Sequence, residues 1–207
     1  MRLSIAIAFL ITMLLQNLNA QESNFPPGAY MNYLELKSKT PSLTAEFHAV
    51  KRSEGGKAMA GGSDYSIYSV DDVVPKLTIK NDIYAISIND TLYLNSMFQM
   101  RLKGYSKVIT QGRYLVFYGP VNEPPGSLTY MGGAIGGAID GAARAKKREL
   151  YLIDANGMYG LAKPVNKGKL KNMLADYPSL LNEYQAEPEG ENDEIMLKYL
   201  IKINEFE

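Results

Sequence analysis

Side chains able to carry out catalysis or hold a metal are scarce in this sequence. The chain contains a single histidine, His48, and no cysteine. A zinc site of the usual kind needs several His or Cys ligands, and without cysteine the remaining nucleophile–base pairs cannot be read from sequence. We therefore predict no catalytic residue, no metal site and no cofactor. His48 itself is expected on the surface or edge of a strand.

Carboxylates are the second chemical possibility. Asp71 and Asp72 are adjacent, and neighbouring side chains of an extended strand point to opposite faces, so this pair predicts a turn more strongly than an ion site. The two carboxylates of a glycosidase come together only in the folded protein. A hydrolase acting on envelope glycans, with such a site in the sheet, therefore stays open as an alternative to a non-catalytic protein. A small-ligand carrier is a further alternative.

The most unusual stretch is YMGGAIGGAIDGAARAKKREL, residues 130–150. Its glycines recur every four residues, and a basic run follows them. As a helix it would present a face almost without side chains, which lets another helix approach closely. The candidate contact positions are Gly133, Gly137, Gly141, Arg144, Lys146, Lys147 and Arg148.

Three interpretations of this stretch remain open. The five glycines would cost about 4 to 5 kcal/mol in a helix relative to alanine, so an isolated helix would not hold and a loop between two strands is one reading. Self-association or docking through the small-residue face is another. Membrane-surface contact through the basic flank is the third. A full crossing is not expected, since Leu128 to Ala143 would span about 24 Å against a core of roughly 30 Å.

The first residues predict export. A positive start, an apolar run from Leu3 to Leu15 and the small residue Ala20 have the pattern of a signal peptide over residues 1–20. The apolar run, about 13 residues, is shorter than the roughly 20 residues that a membrane-spanning helix needs. We expect one domain over residues 21–207 in the periplasm or outer envelope. Lys plus Arg and Asp plus Glu number 22 each, so no overall charge favours nucleic acid.

The middle of the chain has the alternating pattern of strands. Three hairpins are predicted, with turns at Asn89–Asp90, Gln111–Gly112 and Asn156–Gly157. The strand from Arg113 to Tyr118 is apolar on both faces and is expected at the centre of a sheet. Residues 77–79 are also expected as strand, and the glycines flanking KAMA, residues 55–62, predict a mobile connection.

The C-terminal part, residues 166–207, changes to a helical period. Asn166 is the expected cap of one helix, Pro178 begins a second, and a third carries Ile195, Met196 and Tyr199 on one side. The predicted class is α+β: mostly antiparallel hairpins in a sheet or partly open barrel, followed by helices, with a glycine-rich helical or loop insertion at residues 130–148.

Several segments also resemble a known family. They are PPGAYMNYLEL, TPSL, LYLN, GRYLVF, GGAIGGAIDGAA, KKRELYLIDANGMYGL, LKNMLADYPSLLNEY and MLKYLIKINE. Together they are similar to uncharacterised exported proteins of Bacteroidota-type bacteria. The resemblance implies a Gram-negative envelope or periplasmic setting and assigns no activity. We therefore expect an exported, non-catalytic binding or assembly component, with an envelope protein, a second copy or a membrane surface as partner.

Overall fold

The computed structural model describes residues 25–121, 146–188 and 192–206. Within them the chain forms nine strands and seven helices. The strands are β1 Gly28–Tyr30, β2 Phe47–Lys51, β3 Tyr65–Ser69, β4 Ala85–Ile88, β5 Thr91–Asn95, β6 Tyr105–Thr110, β7 Tyr114–Pro120, β8 Arg148–Asp154 and β9 Lys163–Pro164. The helices are α1 Tyr33–Lys37, α2 Glu54–Ala60, α3 Lys76–Asn81, α4 Ser96–Met100, α5 Lys167–Leu174, α6 Pro178–Gln185 and α7 Asp193–Glu205.

The strands form one antiparallel sheet that does not close into a barrel. Its main path runs β1-β4-β5-β6-β7-β8-β9, and the β2–β3 hairpin joins it where Tyr65 pairs with Tyr105 of β6. A register shift between Val108 and Thr110 marks the part of β6 that pairs with β7. Such irregularities bend a strand. The α+β class predicted from the sequence is confirmed, as an open sheet.

Strand β7 lies at the centre of the fold, as its two-sided apolar pattern predicts. Leu115 and Phe117 belong to the cluster that packs against α1 and β5. Tyr114 and Val116 face the other way, into the cluster formed with α5, α6 and α7. A third cluster lies beneath the β2–β3 hairpin and α3. The strand therefore separates two apolar layers.

The C-terminal helices follow the predicted boundaries closely. The side chain of Asn166 accepts a hydrogen bond from Lys169 N and begins α5, and Pro178 is the first residue of α6. The final helix is capped by Asn192, one residue before its first helical residue. Asn204 Oδ1 accepts from Tyr114 N at 2.9 Å, and its Nδ2 donates to Tyr114 O at 2.8 Å. These bonds fix α7 to the start of β7.

Three local predictions are wrong. The connection predicted around residues 55–62 contains helix α2, because the Ser53 side chain caps Gly56 N and the buried Lys57 pairs with Glu54 and Asp64. Residues 77–79 lie in helix α3, which follows Pro75, instead of a strand. The chain does turn at Asn156–Gly157, yet β8 pairs with β9 only from Leu152 and Tyr151 onward, so the loop is much wider than a two-residue turn.

The other two hairpins are confirmed. In β4–β5, Asn89 adopts φ +51° at the turn, and Leu92 and Leu94 share the first apolar cluster. The alternation in IYAISI predicts that Tyr84 and Ile86 share a face, and this is wrong: Ile86 lies in the third cluster, and Tyr84, which precedes the strand, packs in the first. The β6–β7 hairpin turns at Gln111–Gly112.

Candidate interaction site

The insertion between Pro120 and Arg148, called the excursion below, begins and ends at the same place in the sheet. Pro120 ends β7, Arg148 begins β8, and the two residues are register partners. The Tyr151 hydroxyl donates to Pro120 O at 3.2 Å, and its ring stacks on Phe117 at 5.8 Å between centroids. Both ends of the excursion are therefore attached to the central pair of strands.

Arg148 is held by an ion cluster that we call the root cluster: Arg148, Asp64, Lys57 and Glu54. Arg148 Nη2 lies 2.7 Å from Asp64 Oδ1, and its Nε lies 3.2 Å from the same oxygen. Lys57 Nζ donates to Asp64 Oδ1 at 3.0 Å and also pairs with Glu54. The exposed fractions of the Lys57, Arg148 and Asp64 side chains are 6%, 17% and 24%.

Local structure explains why Asp64 stands at this point. The Arg52 amide donates to Asp64 O at 2.7 Å, which fixes the residue opposite the end of β2. The neighbouring Ser63 amide donates to Lys103 O at 2.8 Å. The Ser63 hydroxyl is buried and shares hydrogen bonds with the hydroxyls of Ser96 and Ser106. Asp64 therefore projects from a segment bonded on both sides.

The charges of the cluster support one another. Burial alone would raise the pKa of Asp64, but hydrogen bonds from Arg148 and Lys57 outweigh it and hold that pKa below its ordinary value. Burial would lower the pKa of Lys57, whereas its bonds to Glu54 and Asp64 raise it, and the result is a raised pKa. Ionised forms of both groups are therefore favoured at neutral pH.

The predicted contact residues fall in two sets. Gly133, Gly137, Gly141 and Arg144 lie outside the described residues, as do residues 1–20, for which a signal peptide is predicted. Lys146 and Lys147 are exposed at the mouth of the excursion, and Arg148 is directed into the root cluster. The structure thus brings the last basic residue to Asp64, while the lysines before it face solvent.

The sequence reasoning missed Asp64, Lys57 and Glu54. A pairing of Glu54 with Lys57 at helical spacing was the available signal, but the surrounding glycines favoured a loop. Nothing in the sequence places Asp64 beside Arg148, because the two residues are separated by 84 positions. His48 is exposed and stacks on Tyr68 at 5.5 Å, as expected for a residue on a strand surface.

A second exposed feature lies in the loop between β8 and β9. The exposed fractions of Met158, Tyr159 and Leu161 are 74%, 73% and 57%. They border a cavity of about 300 Å³ that Lys169 also lines. Burial, followed by the charge of Lys163, lowers the pKa of Lys169 to about 8.

Within residues 25–121, 146–188 and 192–206, no three His, Asp or Glu side chains lie close enough to hold a metal ion. Among the helices of these same ranges, none is both long and apolar enough to cross a membrane.

An open antiparallel sheet, with helices on both faces and a long insertion between strands β7 and β8, defines an α+β protein. A family model described as a family of unknown function (DUF6563) matches residues 28–207. The chain belongs to this family. Neither a curated protein nor a solved structure matches it. The predicted resemblance is confirmed at this level, and the Bacteroidota source and export stay predictions.

Proposed function

We propose that this protein is an exported, non-catalytic assembly component of a bacterial cell envelope. Its contact segment is the excursion from residue 121 to residue 147, which associates with the same segment of a second copy through Gly133, Gly137 and Gly141. The proposal is supported by the four-residue glycine spacing, since small residues in register let two backbones approach closely.

The rigid attachment of the excursion is the observation that supports the proposal most. Arg148 is tied to Asp64, and Pro120 is tied to Tyr151, so the segment starts and ends on fixed residues. Binding elements are commonly carried by connections that a rigid scaffold positions. A segment whose ends are already fixed loses less conformational entropy when it binds a partner than a segment with loose ends does.

The basic residues at the mouth of the excursion have a separate role in this proposal. Lys146 and Lys147 are exposed beside the root cluster. Each exposed lysine near an anionic membrane contributes about 1 kcal/mol to the free energy of membrane binding. They would orient an assembled protein against phosphate head groups.

The experiment compares two Gly→Leu variants of the chain from residue 21 onward. Gly137→Leu fills the small-residue face and is expected to shift sedimentation toward the monomer. Gly55→Leu is the control, because a Cβ built at Gly55 meets no atom within 4 Å. If wild type is monomeric at every concentration, or both variants sediment alike, the assembly proposal is wrong.

The membrane role is tested separately by flotation. Vesicles of pure phosphatidylcholine are compared with vesicles containing phosphatidylglycerol. The Lys146→Ser/Lys147→Ser variant should lose flotation with the anionic vesicles and keep its sedimentation behaviour. Equal flotation of wild type and variant would remove the membrane role and leave the assembly proposal unaffected.

A further inference from the structure

A groove of about 240 Å³ lies between β3, α3 and the start of β6. Its apolar wall includes Ile67, Ile79 and Tyr105. Its basic lining residues are Arg52, Lys76, Lys80 and Lys103. The described lining contains no Asp or Glu, so cations are concentrated next to an apolar surface.

Arg52 is fixed in place, and no carboxylate of the residues that the structure describes contacts it directly. Its Nη1 donates to Ser63 O at 2.9 Å, and its Nη2 donates to Gly56 O at 3.3 Å. Both acceptors are neutral main-chain carbonyls. Glycines keep the space beside the guanidinium open: a Cβ at Gly62 would lie 3.0 Å from Nη1, and one at Gly104 would lie 3.4 Å from it. Arg52 is therefore oriented by neutral groups. The charge of Asp64 also acts on it, but Asp64 is paired with Arg148 and Lys57.

The lysines around the groove have few partners. Lys80 and Lys103 are exposed, and neither ammonium group makes an ion pair or hydrogen bond within residues 25–121, 146–188 and 192–206. Lys76 meets Asp72 at 3.7 Å, a pair in which both side chains are at least 70% exposed. Exposed pairs of this kind are weak. The positive charge at the groove is therefore largely uncompensated.

The wall that carries Lys80 is rigid. The Tyr105 hydroxyl donates to Ile79 O, and Asn95 Nδ2 donates to Lys80 O at 3.1 Å. The same Asn95 group donates to Ile83 O at 2.7 Å, so helix α3 is bonded to the sheet at its C-terminal end. The groove is thus formed before any ligand arrives, which limits the entropic cost of binding.

We infer that this groove is a binding site for a small molecule with one anionic group, a carboxylate or a phosphate, joined to an apolar ring. The guanidinium of Arg52 has the planar donor geometry that such anions accept. Ile67, Ile79 and Tyr105 supply the surface for the ring. The volume is below the roughly 300–1,000 Å³ of sites for drug-sized molecules, so the ligand is of single-ring size. This inference does not depend on the proposed assembly role.

The test is a titration followed by ¹⁵N amide shifts in the chain from residue 21 onward. Phenyl phosphate and benzoate should bind saturably and change the chemical shift of the Gly104 amide. Benzylamine, a cation of similar shape, should not. The variant Lys80→Met/Lys103→Met is expected to lower the affinity for phenyl phosphate by about tenfold or more. The control variant Lys51→Met/Lys107→Met removes the same charge from exposed positions outside the groove. It should lower the affinity for phenyl phosphate by about threefold or less.

Further variants and ligands test the guanidinium and the apolar wall separately. Arg52→Lys keeps the charge and loses the planar set of guanidinium donors, so the affinity for phenyl phosphate should fall by about fivefold or more. Inorganic phosphate should bind more weakly than phenyl phosphate. No saturable binding of either aromatic anion, equal binding of benzylamine, or equal weakening in the two lysine variants would overturn the site. Equal affinity for inorganic phosphate would remove the ring contact. Circular dichroism checks that each variant is folded. If Arg52→Lys unfolds, the comparison of the two lysine variants still tests the binding site.

Discussion

Replacing Asp64 with asparagine is expected to destabilise the protein substantially. The change leaves the 83% buried Arg148 side chain and the 94% buried Lys57 side chain without their shared carboxylate. Removing one partner of a fully buried ion pair costs about 3–5 kcal/mol. Since Asp64 is partly open to water and Lys57 keeps Glu54, we expect a loss of about 2–3 kcal/mol in the free energy of unfolding.

The control for this variant is Asp72→Asn. Asp72 pairs with Lys76 at 3.7 Å, and the exposed fractions of the two side chains are 73% and 70%. Such pairs contribute about 0–1 kcal/mol. Urea unfolding at pH 7, followed by far-ultraviolet circular dichroism, measures both variants against wild type. Equal losses in the two variants would refute the argument that burial makes the root cluster strong.

The pH dependence gives a second measure of the same variant. The folded pKa of Asp64 lies below its ordinary value, so the unfolded chain binds more protons as pH falls toward that value. The stabilisation is fully present above the unfolded pKa of about 3.9 and is lost as pH falls through the folded pKa. The stability difference between wild type and Asp64→Asn should therefore shrink below about pH 4. A difference that stays constant down to pH 2 would contradict the assigned role of the carboxylate.

Three further predictions concern other parts of the fold. Lys169 should titrate near pH 8 in an NMR experiment on its side chain. Because its folded pKa is lowered, the unfolded chain binds more protons between about pH 8 and pH 10, and the free energy of unfolding should rise over that range. Titration above pH 10 would contradict the burial argument. Asn204→Ala should cost about 1–3 kcal/mol in urea unfolding and speed amide exchange at Tyr114, since both main-chain groups of Tyr114 lose a partner; unchanged exchange would contradict it. Gly160→Ala should cost at least about 1–3 kcal/mol, because φ is +57° there and the new Cβ would lie 2.1 Å from the ring of Tyr33; a neutral effect would show that the loop relaxes freely.

The sheet and the C-terminal helices could be predicted from sequence because their signals are local. Alternation in residues 113–118 places apolar side chains on both faces, and the structure has an apolar cluster on each side of β7. The caps of α5 and the start of α6 are set by Asn166 and Pro178. In each case the residues that determine the element lie within it or next to it.

The root cluster and the basic groove could not be predicted because their parts are distant in sequence. Helix α2 is rich in glycine, so propensity favours a loop, and its order depends on Lys57 reaching Asp64 outside the helix. The groove joins Arg52 at the end of β2, Lys80 in α3 and Lys103 before β6. The pairing of Tyr65 with Tyr105 and the bond from the Tyr105 hydroxyl to Ile79 O bring these elements together, and no local pattern encodes either contact.

The two ends of the main strand path limit how copies of this protein can meet. Strand β1 is bridged on its outer side by Leu43, with Ala29 N donating to Leu43 O at 2.8 Å. Strand β9 consists of two residues, and Pro164 has no amide hydrogen to offer an incoming backbone. Short, bridged or proline-containing margins discourage fibril-like growth by strand addition. In the proposed assembly, copies would therefore meet through side-chain surfaces and not through strand addition at these two margins.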